Sequence, residues 1–165
     1  MIDQNCSIQA ASLRDISEVA RLYNAYRAFY GEPPDEDRAL EFVRERIAIA
    51  AAQPPREFPV AQYFLAWADS PTGRRAVGFM HLMPSTNTLA MRPIWFLEDL
   101  YVEPSARRKG VASAFLQHAE EFARKTGAER LTLATAHDNE AAQSVYRKLG
   151  YIREKHFWIF HRLLS

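Results

Sequence analysis

The segment DLYVEPSARRKGVASAFL, residues 99–116, runs from an apolar strand through a proline into three consecutive cations and a glycine, after which a helix begins. A helix N-terminus already carries partial positive charge and favours acidic neighbours, so cations are unexpected here. Gly110 lets the backbone approach a ligand closely, and the first N–H groups of the helix have no partner within it. The segment therefore predicts a phosphate-binding helix start, to which Arg107, Arg108 and Lys109 add charge-assisted contacts.

For this segment taken alone, the alternative is a solvated basic turn. It has neither the G-x-G-x-x-G pattern of dinucleotide sites nor the G-K-[ST] ending of a phosphate-binding loop. The rest of the chain has to decide between these interpretations.

The whole chain has the composition of one globular domain. Its 165 residues are 48% hydrophobic and 25% charged, which is typical of a folded protein with a single core. Because 21 Lys and Arg face 20 Asp and Glu, non-specific nucleic-acid binding is disfavoured. No apolar run approaches the roughly 20 residues that span a bilayer, and the N-terminal residues show no leader pattern. We expect a single domain over residues 1–165, in the cytoplasm and away from membranes.

Hydrophobic periodicity predicts the element order β, α, α, β, β, β, α, β, α, β, β. A capping box at Ser12 and Asp15 opens the first helix, and Gly127 and Gly150 are placed to end the third and fourth. A strand–helix–strand run in the middle implies a parallel pair within a mixed sheet. The other predicted segments are a helix at 35–52, strands at 61–69, 75–84, 94–102 and 130–135, and one or two closing strands within 151–164.

Two blocks of the sequence resemble the GNAT superfamily of acyl-CoA-dependent N-acetyltransferases. RRKGVA (107–112) resembles the family's [QR]-x-x-G-x-[GA] signature, and the preceding EDLYVEPSAR resembles the strand before it. ATAHDNEAAQSVYRKLGYIRE (134–154) is similar to the second block, in which an Asn opens a helix ending in Y-x-K-x-G-[FY]. The resemblance implies a single-domain α/β (mixed α+β) fold, with a mostly antiparallel sheet and a central, splayed parallel strand pair flanked by helices.

The resemblance also implies acetyl-CoA as co-substrate, with no metal. It places the pyrophosphate of coenzyme A against the amides of residues 108–113, and the pantetheine arm in the gap between the strands at 94–102 and 130–135. The implied contacts are Leu100, Tyr101, Val102, Arg107, Arg108, Lys109, Gly110, Val111, Ala112, Ser113 and Asn139.

Acetyl transfer to an amine needs a group that removes a proton from the nitrogen and one that protonates the departing thiolate. Glu98 lies in an otherwise apolar strand, and similar Glu-Asp pairs in polyamine acetyltransferases favour it as the base. Asp99 should face the opposite side unless a bulge intervenes. The alternative for each acid is a carboxylate paired with a nearby arginine, and a water chain stays open as the base.

Further roles come from the resemblance alone. It implies that Tyr146, seven residues after Asn139, protonates the thiolate, whereas without it Tyr146 would be a core aromatic and Asn139 a helix N-cap. It also places Arg27, Tyr30 and Glu32 beside the acceptor site, together with Asp99. Of the other residues, His118 and His137 are expected at the surface without zinc, and Cys6 as a small strand hydrophobe.

The predicted function is acetyl transfer to a primary amine of a small molecule by direct attack in a ternary complex. Two alternatives stay open: acetylation of a protein N-terminus or lysine, and a non-catalytic coenzyme A binding module. HFWIFHRLL (156–164) fits either the core or the edge of a homodimer.

Overall fold

The structure is a computed structural model that describes residues 6–52, 60–70 and 73–164. Its contacts divide the chain into two units, residues 1–134 and 135–165, and each is described by itself. The prediction of one domain over residues 1–165 stays a prediction. The strands are β1 (Cys6–Ala10), β2 (Gln62–Ser70), β3 (Gly73–Asn87), β4 (Arg92–Val102) and β5 (Leu131–Leu133), and the helices are α1 (Ile16–Phe29), α2 (Glu36–Ala52), α3 (Val111–Lys125) and α4 (Glu140–Lys148).

The first unit is built on one sheet whose strands lie in the order β1-β2-β3-β4-β5. The pairs β1–β2, β2–β3 and β3–β4 are antiparallel, whereas β4 and β5 run parallel and are joined through α3. The predicted mixed sheet with one parallel pair is therefore confirmed. The strands predicted at 61–69 and 75–84 are both present as the antiparallel pair β2 and β3, and residues 71–72 between them lie outside the described residues.

Helices cover both faces of this sheet. Tyr63 belongs to the buried cluster that β2 forms with Val19 of α1 and Val43 of α2. Its neighbour Phe64 contacts Phe122 of α3, with ring centroids 5.3 Å apart. Since adjacent strand residues point to opposite faces, α1 and α2 cover one face and α3 covers the other.

Local signals at the helix ends behave as the sequence indicates. Ser12 and Asp15 form the capping box that leads into α1 through a short 3-10 turn. In this arrangement each residue accepts a hydrogen bond from a donor of the other. Gly127 (φ 70°) follows α3, and Gly150 (φ 84°) follows α4. Both adopt the left-handed backbone that favours glycine after a helix.

The second unit differs from expectation after α4. No residue from 151 to 164 is in a strand, so the prediction of closing strands is wrong for this described segment. Phe157 and Trp158 are 80% and 88% exposed. Aromatic and β-branched residues such as these and Ile159 favour a strand. A strand also needs a neighbour for its backbone groups, and the described part of this unit offers only α4. Among the described residues, no helix is long and apolar enough to cross a membrane.

Candidate active site

A cleft of about 510 Å³ lies in the first unit, on the sheet face that α1 and α2 cover. Tyr23 of α1 and Phe42 and Arg46 of α2 form one wall. The other lining residues come from the sheet: His81, Met83, Pro84 and Ser85 of β3, Ile94, Phe96, Glu98 and Asp99 of β4, and Arg130 and Thr132 next to or within β5.

A bulge brings both acids of β4 to this cleft. Asp99 pairs with His81 of β3, but the next pair joins Leu97 to Leu82, which leaves Glu98 as an extra residue in β4. An extra residue re-aims the side chains on either side of it. Glu98 thus follows Phe96 on the cleft face, and Asp99 lies on the same face as its partner. The expectation that Asp99 faces away held only without a bulge.

Glu98 is exposed rather than enclosed. The apolar surroundings inferred from its strand neighbours are therefore wrong, because the bulge lifts this residue out of the regular pleat. No ion pair that the structure describes includes Glu98, so the alternative of an arginine-paired carboxylate finds no support there. The side chain faces both the cleft and solvent.

Asp99 lies beside His81 and close enough to Tyr26 to affect its hydroxyl. Its Oδ2 is 3.2 Å from Nδ1 of His81, and only 13% of its side chain is exposed. Burial of the Tyr26 ring, followed by the charge of Asp99 and a side-chain hydrogen bond to it, raises the pKa of the Tyr26 hydroxyl. That hydroxyl therefore stays protonated at ordinary pH.

His81 is a site residue that the sequence did not indicate. Its side chain is 93% buried, as the 7% exposure shows, and its ring stacks on Tyr63 at 4.2 Å between centroids. Nε2 is buried and has no hydrogen-bond partner among the described residues. The histidine precedes Asp99 by 18 positions, so only the β3–β4 register could have shown the pair.

The loop before α3 has the shape predicted from its glycine. Gly110 is the N-cap residue of α3 with φ 84°, and Arg108 also has a positive φ, 62°. The backbone N–H of Arg107 donates to Pro104 O and that of Ala114 to Gly110 O. Between them, the six N–H groups from Arg108 to Ser113 donate to no backbone or side-chain acceptor that the structure describes.

The three cations of this loop differ in their surroundings. Nε of Arg107 donates to Val102 O at 2.9 Å, and its guanidinium lies 5.1 Å from the Phe29 ring centroid. Arg107 thus braces the end of β4, a role that the sequence did not indicate. Arg108 and Lys109 are exposed, and no described ion pair includes either of them.

The pairing of β4 with β5 ends beside the two acids. β5 pairs only with Trp95 to Leu97 of β4. From Glu98 to Val102, β4 therefore has no neighbour on its β5 side among the described residues of the first unit. The pairing ends where β5 ends, and Leu100, Tyr101 and Val102 lie beyond it; the splay between the two strands stays a prediction.

The other predicted acceptor residues do not line the cleft. Arg27, Tyr30 and Glu32 are described but are not among its lining residues. Arg27 and Glu32 approach each other to 4.0 Å, and Tyr30 is 55% exposed. Asp99 is the one member of this predicted group that the cleft includes.

In the second unit, Asn139 caps α4. Its Oδ1 accepts a hydrogen bond from the N–H of Ala142 at 3.2 Å, so the N-cap interpretation is confirmed. Tyr146 lies in the same helix, and its ring centroid is 5.8 Å from that of Tyr151. The roles of Asn139 and Tyr146 toward coenzyme A stay predictions.

His118 corrects a minor expectation. It is half-buried rather than a surface residue, since its ring packs edge-on against Phe64 at 4.8 Å. Burial lowers the pKa of this imidazole. Cys6 is half-buried in β1, as expected for a small strand hydrophobe.

Comparison with known proteins agrees with this architecture. The acetyltransferase (GNAT) family matches residues 19–151. The "Uncharacterized N-acetyltransferase YhfO" of Bacillus subtilis (strain 168) is 32% identical over 156 residues, covering 92% of this chain and 93% of that protein. The "Aminoglycoside N(6')-acetyltransferase type 1" of Acinetobacter haemolyticus is 36% identical over 59 residues, covering 36% of this chain and 41% of that protein. A crystal structure titled as that of a "probable acetyltransferase" has a TM-score of 0.83 and 32% identity, covering 96% of this chain and 98% of that chain.

The chain therefore belongs to the GNAT family of acetyltransferases. The predicted fold class and the predicted N-acetyltransferase class are confirmed.

Proposed function

We propose that this N-acetyltransferase transfers the acetyl group of acetyl-CoA to a primary amine of a small molecule by direct attack in a ternary complex. The observation that carries the proposal is the row of six N–H groups from Arg108 to Ser113, which lack acceptors within the described chain. Orphan amides at a helix start are donors for phosphate oxygens. The exposed side chains of Arg108 and Lys109 add positive charge at the same place.

The part of β4 from Glu98 to Val102, which has no partner strand on its β5 side among the described residues of the first unit, supports a pantetheine site. Pantetheine carries amides, and an extended amide chain can bond to a free strand edge as an added strand would. We place it along Leu100, Tyr101 and Val102, and from the family resemblance alone we add a contact from Asn139.

The cleft supports a cationic acceptor. Two acids and two arginines, Arg46 and Arg130, line it. The acids, Glu98 and Asp99, lie where the β4–β5 pairing ends, so we place an ammonium group beside them. The name of the Acinetobacter haemolyticus relative includes a small-molecule acceptor, an aminoglycoside. From the resemblance we further propose Arg27, Tyr30 and Glu32 as outer acceptor contacts.

Proton transfer completes the proposal. An alkylamine is protonated at neutral pH, so its ammonium must first lose a proton. Glu98 faces both the cleft and solvent, and we assign it the removal of that proton, directly or through water. Acetyl-CoA, when bound, would supply a thioester carbonyl open to the neutral amine. From the resemblance we assign Tyr146 the protonation of the departing thiolate.

The experiment is a screen of primary amines with acetyl-CoA, read as release of free thiol, followed by pH–rate profiles with the best acceptor. Glu98→Gln should reduce turnover most at neutral pH and recover at high pH, where free amine is abundant. Tyr146→Phe should reduce turnover by roughly 10²- to 10⁴-fold, the range for one acid–base group, with little change in acetyl-CoA affinity.

Matched variants provide the controls. Glu120→Gln changes an exposed acid on α3 that pairs with Arg124, and Tyr151→Phe removes a hydroxyl from the ring next to Tyr146. Both should keep nearly full turnover. Thiol release with peptides but with no small amine would overturn the acceptor class, and full activity of Tyr146→Phe would remove the assigned acid.

A further inference from the structure

The two ring nitrogens of His81 differ in their surroundings, since one has a hydrogen-bond partner and the other has none among the described residues. Nδ1 lies 3.2 Å from Oδ2 of Asp99, and an ionised carboxylate can only accept a hydrogen bond. Nδ1 must therefore carry the proton. In the neutral ring this leaves a lone pair on Nε2, which is buried without a partner among the described residues.

A buried acceptor without a donor costs free energy. Such a group in a cleft indicates a ligand that supplies the donor, and His81 lines the cleft. Asp99 fixes the tautomer and would stabilise an imidazolium, in the same way as the carboxylate in a Ser-His-Asp triad.

The proposed reaction needs two proton acceptors at the nitrogen. An ammonium has three N–H bonds and the secondary amide product has one, so two protons must leave. The first must leave before attack, because only the free lone pair can bond the carbonyl carbon. The second must leave after the C–N bond has formed, when the nitrogen is again cationic.

We propose that Nε2 of His81 accepts this second proton, while Glu98 accepts the first; the inference rests on the proposed function. As the C–S bond breaks, the thiolate takes a proton from Tyr146. Tyr146 regains one proton and a single proton passes to water, so the balance is one amide, one thiol and one released proton. The division of roles follows exposure, since Glu98 meets solvent and His81 is buried.

Several groups share the cleft or contact this pair, and any pH profile reports them together. They are Tyr63 of β2, Glu98 and Asp99 of β4, Tyr23 and Tyr26 of α1, Arg46 of α2, and Arg130 next to β5. The test therefore does not rely on a pH profile alone. It compares two acceptors of the same shape, an alkylamine and a fluorinated analogue that is largely neutral at neutral pH.

The two acceptors separate the first proton from the second. Glu98→Gln should be slow with the alkylamine and regain activity with the analogue, which arrives without the first proton. His81→Gln should be slow with both acceptors, on the order of 10²-fold, because the second proton must leave in either case. His118→Gln is the matched control, since that ring packs against Phe64 on the opposite sheet face, and it should keep normal rates.

Recovery of His81→Gln with the analogue, or normal rates with both acceptors, would overturn the proposal. A second readout needs no turnover. The ¹⁵N shifts of His81 in the wild-type protein should show a protonated Nδ1 and a bare Nε2, and Asp99→Asn should reduce that preference. A proton on Nε2 in the neutral ring would overturn the proposal even if His81→Gln prevented folding. Absence of acetyl transfer from the wild type would instead refute the proposed function, which the nitrogen shifts do not address.

Discussion

Replacing Gly110 by valine should weaken acetyl-CoA binding at least tenfold. Gly110 has φ 84° at the first residue before α3, and a β-branched residue there costs on the order of 1–3 kcal/mol of strain. If the loop relaxes to relieve that strain, the six N–H groups from Arg108 to Ser113 move away from the phosphate position that we propose. Losing even one hydrogen bond to a charged group costs about 1.5–3 kcal/mol, and tenfold in the dissociation constant corresponds to about 1.4 kcal/mol.

The other end of the same helix provides the control. Gly127 also has a positive φ, 70°, and a Cβ there would meet no atom within 4 Å. Gly127→Val should therefore reduce thermal stability through similar strain while leaving acetyl-CoA affinity unchanged. Calorimetric titration of both folded variants measures the difference. Equal affinity of Gly110→Val and the wild type would refute the placement of the pyrophosphate at this loop.

Three further predictions concern packing, pH and the acceptor. Gly78→Ala should lower the free energy of unfolding by about 1–3 kcal/mol, because its Cβ would lie 2.6 Å from Tyr101 O; a denaturant midpoint no lower than that of Gly127→Ala would contradict this. Burial lowers the pKa of His118 below its usual 6.5, so the unfolded state binds more protons below that pH and stability falls as pH drops from about 7 to about 5. The thermal midpoint of His118→Leu should fall less over that range than the midpoint of the wild type. An identical fall in both proteins would contradict a contribution of His118 to the pH dependence. Diamines should be better acceptors than neutral aromatic amines, with an advantage that fades as salt rises, and kinetics showing the opposite preference would contradict a cationic acceptor.

Local signals made much of the fold predictable from the sequence. Gly110, Gly127 and Gly150 each stand where the backbone takes a positive φ, and only residues close along the chain decide that conformation. The apolar stripe of α3 is equally local, since Val111, Phe115 and Ala119 are all buried as their spacing indicates.

Long-range pairing decided what the sequence could not show. The bulge at Glu98 depends on how β4 registers against His81 and Leu82 of β3, and neither strand specifies that register alone. The bulge in turn exposes Glu98 and pairs Asp99 with a histidine 18 residues earlier. The aromatic and β-branched residues after Gly150 do not form strands for the same kind of reason, because a local preference for strand does not supply a partner strand.

The central claim is that acetyl-CoA donates its acetyl group to a small amine on this protein. The most direct measurement uses acetyl-CoA with a ¹³C-labelled acetyl group and the best amine from the screen, and quantifies the product by mass spectrometry beside the released thiol. We predict one labelled amide for each thiol. Thiol release without a labelled amide would show hydrolysis instead of transfer, and would contradict the account.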